Sequence, residues 1–154
     1  ALDILVEAGF KYDSSIFPIR HDRYGMPGTP TEPYILTAPS GKKLIEIPLS
    51  TYKFFGYTLP VSGGGYFRLY PYHLTKFFLK RLNRTDKSFV FYFHPWEIDP
   101  DQPRVKAGWL SEFRHYNNLD KCHNRLHQLI NDFSFTTMHQ KIQDLDLYNT
   151  LNNS

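Results

Sequence analysis

A single cysteine, Cys122, leaves the chain without an internal disulfide and without a thiolate zinc cluster. Long apolar runs are missing too. The longest, residues 89–93, has five residues, against the roughly 20 that a membrane helix needs. No membrane span is therefore expected. An excess of one charge is also lacking: 18 basic residues face 15 acidic ones, and the net charge of +3 is spread along the sequence. Such a surface offers no basic stripe to a nucleic acid, and no nucleic-acid partner is expected. Internal repeats are absent. What the sequence has in quantity is aromatic rings, 13 Phe, 11 Tyr and 2 Trp among 154 residues. Their area opposes the loss of chain entropy, which predicts one folded domain with a core of its own.

Residues 1–9 read as a helix with Leu2, Leu5 and Val6 on one side and Gly9 as the stop. No capping residue stands before it, which suggests the C-terminal piece of a longer protein. Residues 10–16 step from helix to strand. Five prolines and three glycines within 18–41 predict a long structured loop with no regular element. A strand is expected over 44–49, with Ile45, Ile47 and Leu49 on one face and Glu46 on the other. Residues 51–70 suggest an irregular hairpin around Gly63, Gly64 and Gly65. A helix follows over 71–83 with Leu74, Phe77, Phe78 and Leu82 inward. Residues 88–94, apolar on both faces, predict a strand of a parallel sheet covered by helices. A second loop is expected over 95–116, then a helix over 119–133 that buries Leu119, Cys122, Leu126, Leu129, Ile130 and Phe133. A short strand near 135–137 and a frayed polar tail over 144–154 complete the reading. Strand–helix–strand order with this burial places the chain in the α/β class.

His94 is the most informative residue for chemistry. It stands where the buried strand ends, followed at once by Pro95, Trp96 and Glu97, and ligands of parallel α/β folds bind at the carboxyl ends of strands. A histidine there can act as general acid near neutral pH when a carboxylate holds its other nitrogen. The alternative is a buried histidine satisfied by backbone. Glu46, turned away from the apolar side of its strand, needs a partner; it can orient His94 or pair with Arg68. Asp13 is either a supporting acid or the cap of an Asx turn. Arg20, His21, Asp22, Arg23 and Tyr24 can recognise a polar ligand or form a solvated, salt-bridged loop. His123 and His127 have the spacing of a zinc pair, but Asn124 stands where such a motif needs Glu, so no metal is expected there. Gly63, Gly64 and Gly65 lack the Lys-Ser or Lys-Thr of a phosphate loop, and no helix start is read after them. They are expected to be a flexible turn.

Four segments carry a family resemblance: residues 12–25 (YDSSIFPIRHDRYG), 46–48 (EIP), 63–68 (GGGYFR) and 91–104 (FYFHPWEIDPDQPR). Together with 113–118 (FRHYNN) they resemble polysaccharide deacetylases, and within them the branch encoded with exosortase and exopolysaccharide loci in bacteria. The resemblance implies part of a distorted (β/α) barrel of the NodB-homology type, in carbohydrate esterase family 4, with long loops and a helical C-terminal extension. It places the deacetylase part at 1–98, the extension at 99–143 and a tail at 144–154. Such enzymes hydrolyse N-acetyl groups of amino-sugar polymers with a divalent metal, usually zinc, which makes water nucleophilic and polarises the amide carbonyl. An aspartate serves as base and a late histidine protonates the leaving amine. By position His94 resembles that histidine, and Asp13 matches the aspartate-bearing segment after the third motif. His94, Asp13 and Glu46 are thus the catalytic candidates. Arg20, His21, Asp22, Arg23, Tyr24, Tyr66 and Trp96 are the substrate-binding ones. The family's Asp-Asp pair and His-x-x-x-His motif are not found here and are expected upstream, so this chain is not expected to ligate zinc fully. The implied partner is a polysaccharide, with self-association through exposed strand edges. The competing class is a non-catalytic carbohydrate-binding or assembly module, in which Tyr52, Phe54, Phe55, Tyr57, Tyr66, Phe67 and Tyr70 stack on sugar rings.

Overall fold

Helix α1 (Leu2–Glu7) forms at the predicted apolar spacing, and Gly9 ends it with a φ of 87° that suits only glycine. The computed structural model describes residues 2–21, 24–85 and 87–153. Two ligand-loop candidates, Asp22 and Arg23, lie outside the described residues. The chain divides into two units, one made of Ala1–Leu49 with Phe135–Ser154, the other of Ser50–Ser134.

The first unit is built on a three-stranded sheet in the order β1-β3-β2. Strand β1 (Tyr12–Asp13) runs parallel to β3 (Lys43–Glu46), and β2 (Tyr34–Thr37) runs antiparallel to it. β2 corrects the expectation of an unbroken loop over 18–41. Pro33 and Pro39 bracket it rather than interrupt it, and as an edge strand it tolerates such neighbours. Leu44, Ile45 and Glu46 are all buried, so β3 is covered on both faces. Helix α6 (Met138–Asp144) precedes the tail expected to fray over 144–154, and that tail carries a helix, α7 (Leu147–Asn153), which packs on β2 and β3. Thr137, expected in a strand, caps α6 by accepting the Gln140 N–H.

The second unit begins with a hairpin of β4 (Thr51–Phe54) and β5 (Tyr57–Pro60). Phe55 and Gly56 form its turn, both at positive φ, as a two-residue hairpin requires. The glycine triplet is therefore not the hairpin turn. Helix α2 (Gly64–Leu69) starts inside it, against expectation, followed by α3 (Tyr72–Asn83) and, after the 88–94 segment, a 3₁₀ turn (Pro95–Ile98). Helix α4 (Trp109–Tyr116) lies where a loop was expected, and α5 (Leu119–Asp132) where a helix was. Leu119, Cys122, Leu129 and Phe133 are buried as read, but Ile130 is 60% exposed. The core gathers Val61, Phe67, Phe78, Leu79, Cys122, Leu129 and Phe133. Asp132 on α5 accepts hydrogen bonds from Tyr72 and Lys76 of α3, each at 2.6 Å.

Residues 88–94 are the main correction. Instead of a doubly covered strand they make one isolated parallel bridge, Gly63 with Tyr92. Tyr92 N–H donates to the Ser62 carbonyl and Gly64 N–H to the Tyr92 carbonyl, but at Gly64 the partner chain turns into α2 and the ladder stops. Two residues earlier the Val90 N–H goes to the Ser50 hydroxyl. Phe89 and Phe91 pack edge-on against Phe133 and Phe67, whereas Phe93 is 41% exposed. The overall class is mixed α/β with small sheets, and the described strands do not close a barrel.

Gly63 has a structural reason to be glycine. Its φ is 116°, and a Cβ there would stand 1.9 Å from the Tyr92 carbonyl oxygen. Gly63→Ala is expected to cost about 2 kcal/mol from strain and overpacking. Gly28, with a φ of 88° and open space around it, should cost only about 1 kcal/mol as alanine. Urea midpoints of the two variants test this, and equal losses would rule out the Tyr92 contact as the cause.

Candidate functional site

The candidates fall into two sets, one in each unit. In the second unit the site grows from Arg68, a side chain only 2% exposed near the end of α2. An ion this deep needs a partner at each nitrogen, and each has one. Nε–H donates to Glu97 Oε1 at 2.8 Å, and the two terminal nitrogens donate to the carbonyls of Arg114, His115 and Asn117. Those carbonyls lie in the last turn of α4 and just beyond, so Arg68 caps that helix end as well as pairing with Glu97. Arg125 of α5 does the same for α2, donating to the carbonyls of Phe67 and Arg68.

Glu97, 1% exposed, passes this fixation to His94. Its Oε2 accepts the His94 N–H at 2.9 Å, while its own N–H donates to the His94 carbonyl. This reciprocal pair is the backbone half of a capping box, with Glu three residues after the cap. The His94 ring is exposed, which removes the alternative of a buried, backbone-satisfied histidine. It lies near-parallel to Trp96 at 5.6 Å, and Trp96 stacks on His115 at 4.2 Å. The Arg68 guanidinium also sits 5.0 Å over the Trp96 ring. Gln102 fixes the array by donating to the Trp96 carbonyl while its Oε1 meets His115 Nε2 at 3.1 Å. Trp96 is thus engaged on its faces by His94, His115 and Arg68. Tyr66 is half-buried and 6.0 Å from Tyr70. Arg68, considered from the sequence as a partner for Glu46, pairs with Glu97 and with the carbonyls at the end of α4.

In the first unit the sheet register brings carboxylates together. Asp13 is the direct partner of Glu46 across β1 and β3, and Tyr34 is the partner of Glu46 across β3 and β2. Directly opposed residues share a face about 5 Å apart, so the three form a row. Glu46 is fully buried, and its Oε1 accepts the Ile16 N–H at 3.0 Å. Its Oε2 has no hydrogen-bond partner. Burial, with the nearby Asp13 charge adding to it, pushes the Glu46 carboxyl up to about 7. Tyr34 is likewise raised, by burial and by Glu46. Asp13 accepts the Ser15 hydroxyl on both oxygens, a local loop contact akin to the turn considered for it. In the ligand loop His21 stacks on Tyr24 at 3.9 Å, and Arg20 is exposed.

Sequence reasoning missed Tyr34 and underused Glu97. The signal for Tyr34 was the short apolar run 34–36 between two prolines. For Glu97 it was the three-residue spacing from His94. Cys122 offers no nucleophile, since burial pushes its thiol up to about 11. Among the described residues no group of three or more His, Cys, Asp or Glu side chains could hold a metal. His123 and His127 are exposed on α5, and His127 Nδ1 is engaged with Asn131 at 3.1 Å. No described helix is long and apolar enough to cross a membrane. A family described as a domain of unknown function, DUF3473, matches residues 14–143, most of the chain. No curated protein and no solved structure matches.

Proposed function

We propose, for a chain that belongs to the DUF3473 family, that it is the acid-bearing part of a metal-dependent polysaccharide N-deacetylase acting on N-acetylated amino-sugar polymers. One observation carries the reading: His94 presents an exposed ring from a backbone locked by a buried Glu97–Arg68 pair. A general acid needs this combination, access for the leaving group and a fixed origin for its ring. His94 gives its proton to the amine as the amide bond breaks. The described residues do not form a metal site; zinc held outside them would supply the activated water. Asp13, Glu46, Arg20, His21 and Tyr24 remain candidates from the first unit. Self-association would use the sheet edges at β1 and β2.

The test is acetate release from an N-acetylated chito-oligosaccharide with zinc, by this chain together with the metal-bearing part, comparing wild type with His94→Ala. A drop of about 100-fold or more in kcat, with KM held, is the expected outcome. Unchanged release would remove His94 from the chemistry. A second reading, a non-catalytic carbohydrate-binding module, is favoured by the exposure of Phe55 and Tyr57 at the β4–β5 turn, 86% and 74%. Its mark would be saccharide binding without metal or acetate release, lost in Tyr66→Ala or Tyr57→Ala.

A further inference from the structure

We propose that the row Asp13–Glu46–Tyr34 is an acid–base site, built on a fully buried Glu46 carboxyl that has one unpartnered oxygen and stands between the Asp13 carboxyl and the Tyr34 phenol. The inference goes beyond the deacetylase reading, because it concerns the first unit alone and no step of His94.

The geometry leads to it directly. A carboxylate with no exposure, held from the backbone at Ile16 and Ser15, still leaves Oε2 without a hydrogen-bond partner. Ionised, that oxygen would bear a charge in a low-dielectric setting without compensation; protonated, it becomes a neutral donor. Among the described residues, no cation on the elements packed against β3 relieves it. The titratable groups on the elements packed against β3 are Tyr12 and Asp13 on β1, Tyr34 on β2 and Tyr148 on α7, none of them positive at neutral pH. Lys43, on β3 itself, faces Thr37 at the far end of the ladder. Lys11 precedes β1 and meets β3 through its carbonyl, which accepts the Ile45 N–H.

Asp13 differs from Glu46 in access. It is half-buried, and the Ser15 hydroxyl donates to both its oxygens. The half-buried Tyr34 phenol adds a second neutral donor. The row lies at the carboxyl ends of the parallel strands β1 and β3, where open α/β sheets receive ligands.

Carbon-13 NMR of side-chain carboxyls, titrated from pH 3 to 9 on the full chain, tests the proposal. In wild type the Glu46 carboxyl carbon, assigned by its loss in Glu46→Gln, is expected to titrate near 7. In Asp13→Asn the Glu46 midpoint should move down. A Glu46 midpoint in the ordinary carboxylate range overturns the proposal, as does a midpoint that Asp13→Asn leaves in place. The Glu46 carbon can also be assigned in wild type by through-bond correlation to its own backbone, so a variant that fails to fold leaves the test intact.

Discussion

Replacing Arg68 with alanine is expected to cost about 3–5 kcal/mol of stability, the scale for breaking a buried ion pair from one side. Two losses add. Glu97 keeps a negative charge at 1% exposure with its main partner gone, and the carbonyls of Arg114, His115 and Asn117 lose their donor at the end of α4. The second loss separates this pair from a simple salt bridge. If only the charge pairing mattered, the double variant Arg68→Met/Glu97→Leu would regain most of the stability, since apolar replacements of buried pairs are often neutral. Here the double variant should stay destabilised by about 2 kcal/mol, because unpaired backbone carbonyls remain. Urea unfolding of wild type, both single variants and the double variant gives the cycle. A loss below about 1 kcal/mol for Arg68→Ala, or full recovery in the double variant, would contradict the capping role. His94 is coupled to this pair, so a destabilised Glu97 should also loosen the 3₁₀ turn beneath it.

The elements that could be read from the sequence were those whose signal is local. The apolar periodicity of 119–133 and 71–83 specifies α5 and α3, because a helix satisfies its backbone within itself and needs neighbours only for one face. Residues 88–94 misled for the opposite reason. Their apolar content is that of a strand, but a strand exists only where another backbone runs beside it, and here the neighbour turns into α2 at Gly64 after one bridge. β2 was hidden by the prolines around it, and α4 by having no fully buried residue. Its stability comes largely from a distant arginine at its last turn, 46 residues or more away in sequence, which no local pattern reveals.

The candidate site was legible in type and not in pairing. His94, Glu46 and Asp13 were all singled out by residue type at strand ends, yet their partners differ from those expected. Glu97 braces His94 through the backbone, Arg68 belongs to Glu97, and Glu46 stands between Asp13 and Tyr34. Pairing depends on register across strands distant in sequence, and a slip of one residue would move Glu46 to the other face.

Stability should fall as pH rises toward 8, and Glu46 should be responsible. Its native carboxyl, pushed up to about 7 from the 4.5 of a free side chain, makes the native state bind more protons than the unfolded state between those two values. The slope of stability against pH is then negative in that window. The contribution is full below about 4.5, declines through neutrality and is lost once Glu46 ionises above 7. The difference between those pKa values corresponds to about 3 kcal/mol at most. Glu46→Gln keeps an acceptor for the Ile16 N–H and cannot ionise, so its stability should be nearly level over the same window. Wild type and variant should therefore be close at pH 5, with the variant the more stable at pH 8. Urea midpoints at pH 5, 6, 7 and 8 decide the matter, and parallel curves for the two proteins would show that Glu46 carries no proton through neutrality. Asp13→Asn supplies the remaining step. Without the neighbouring charge Glu46 ionises at lower pH in the native state, so the decline should start where it does in wild type, at the pH set by the unfolded chain, and end at a lower pH with a smaller total loss.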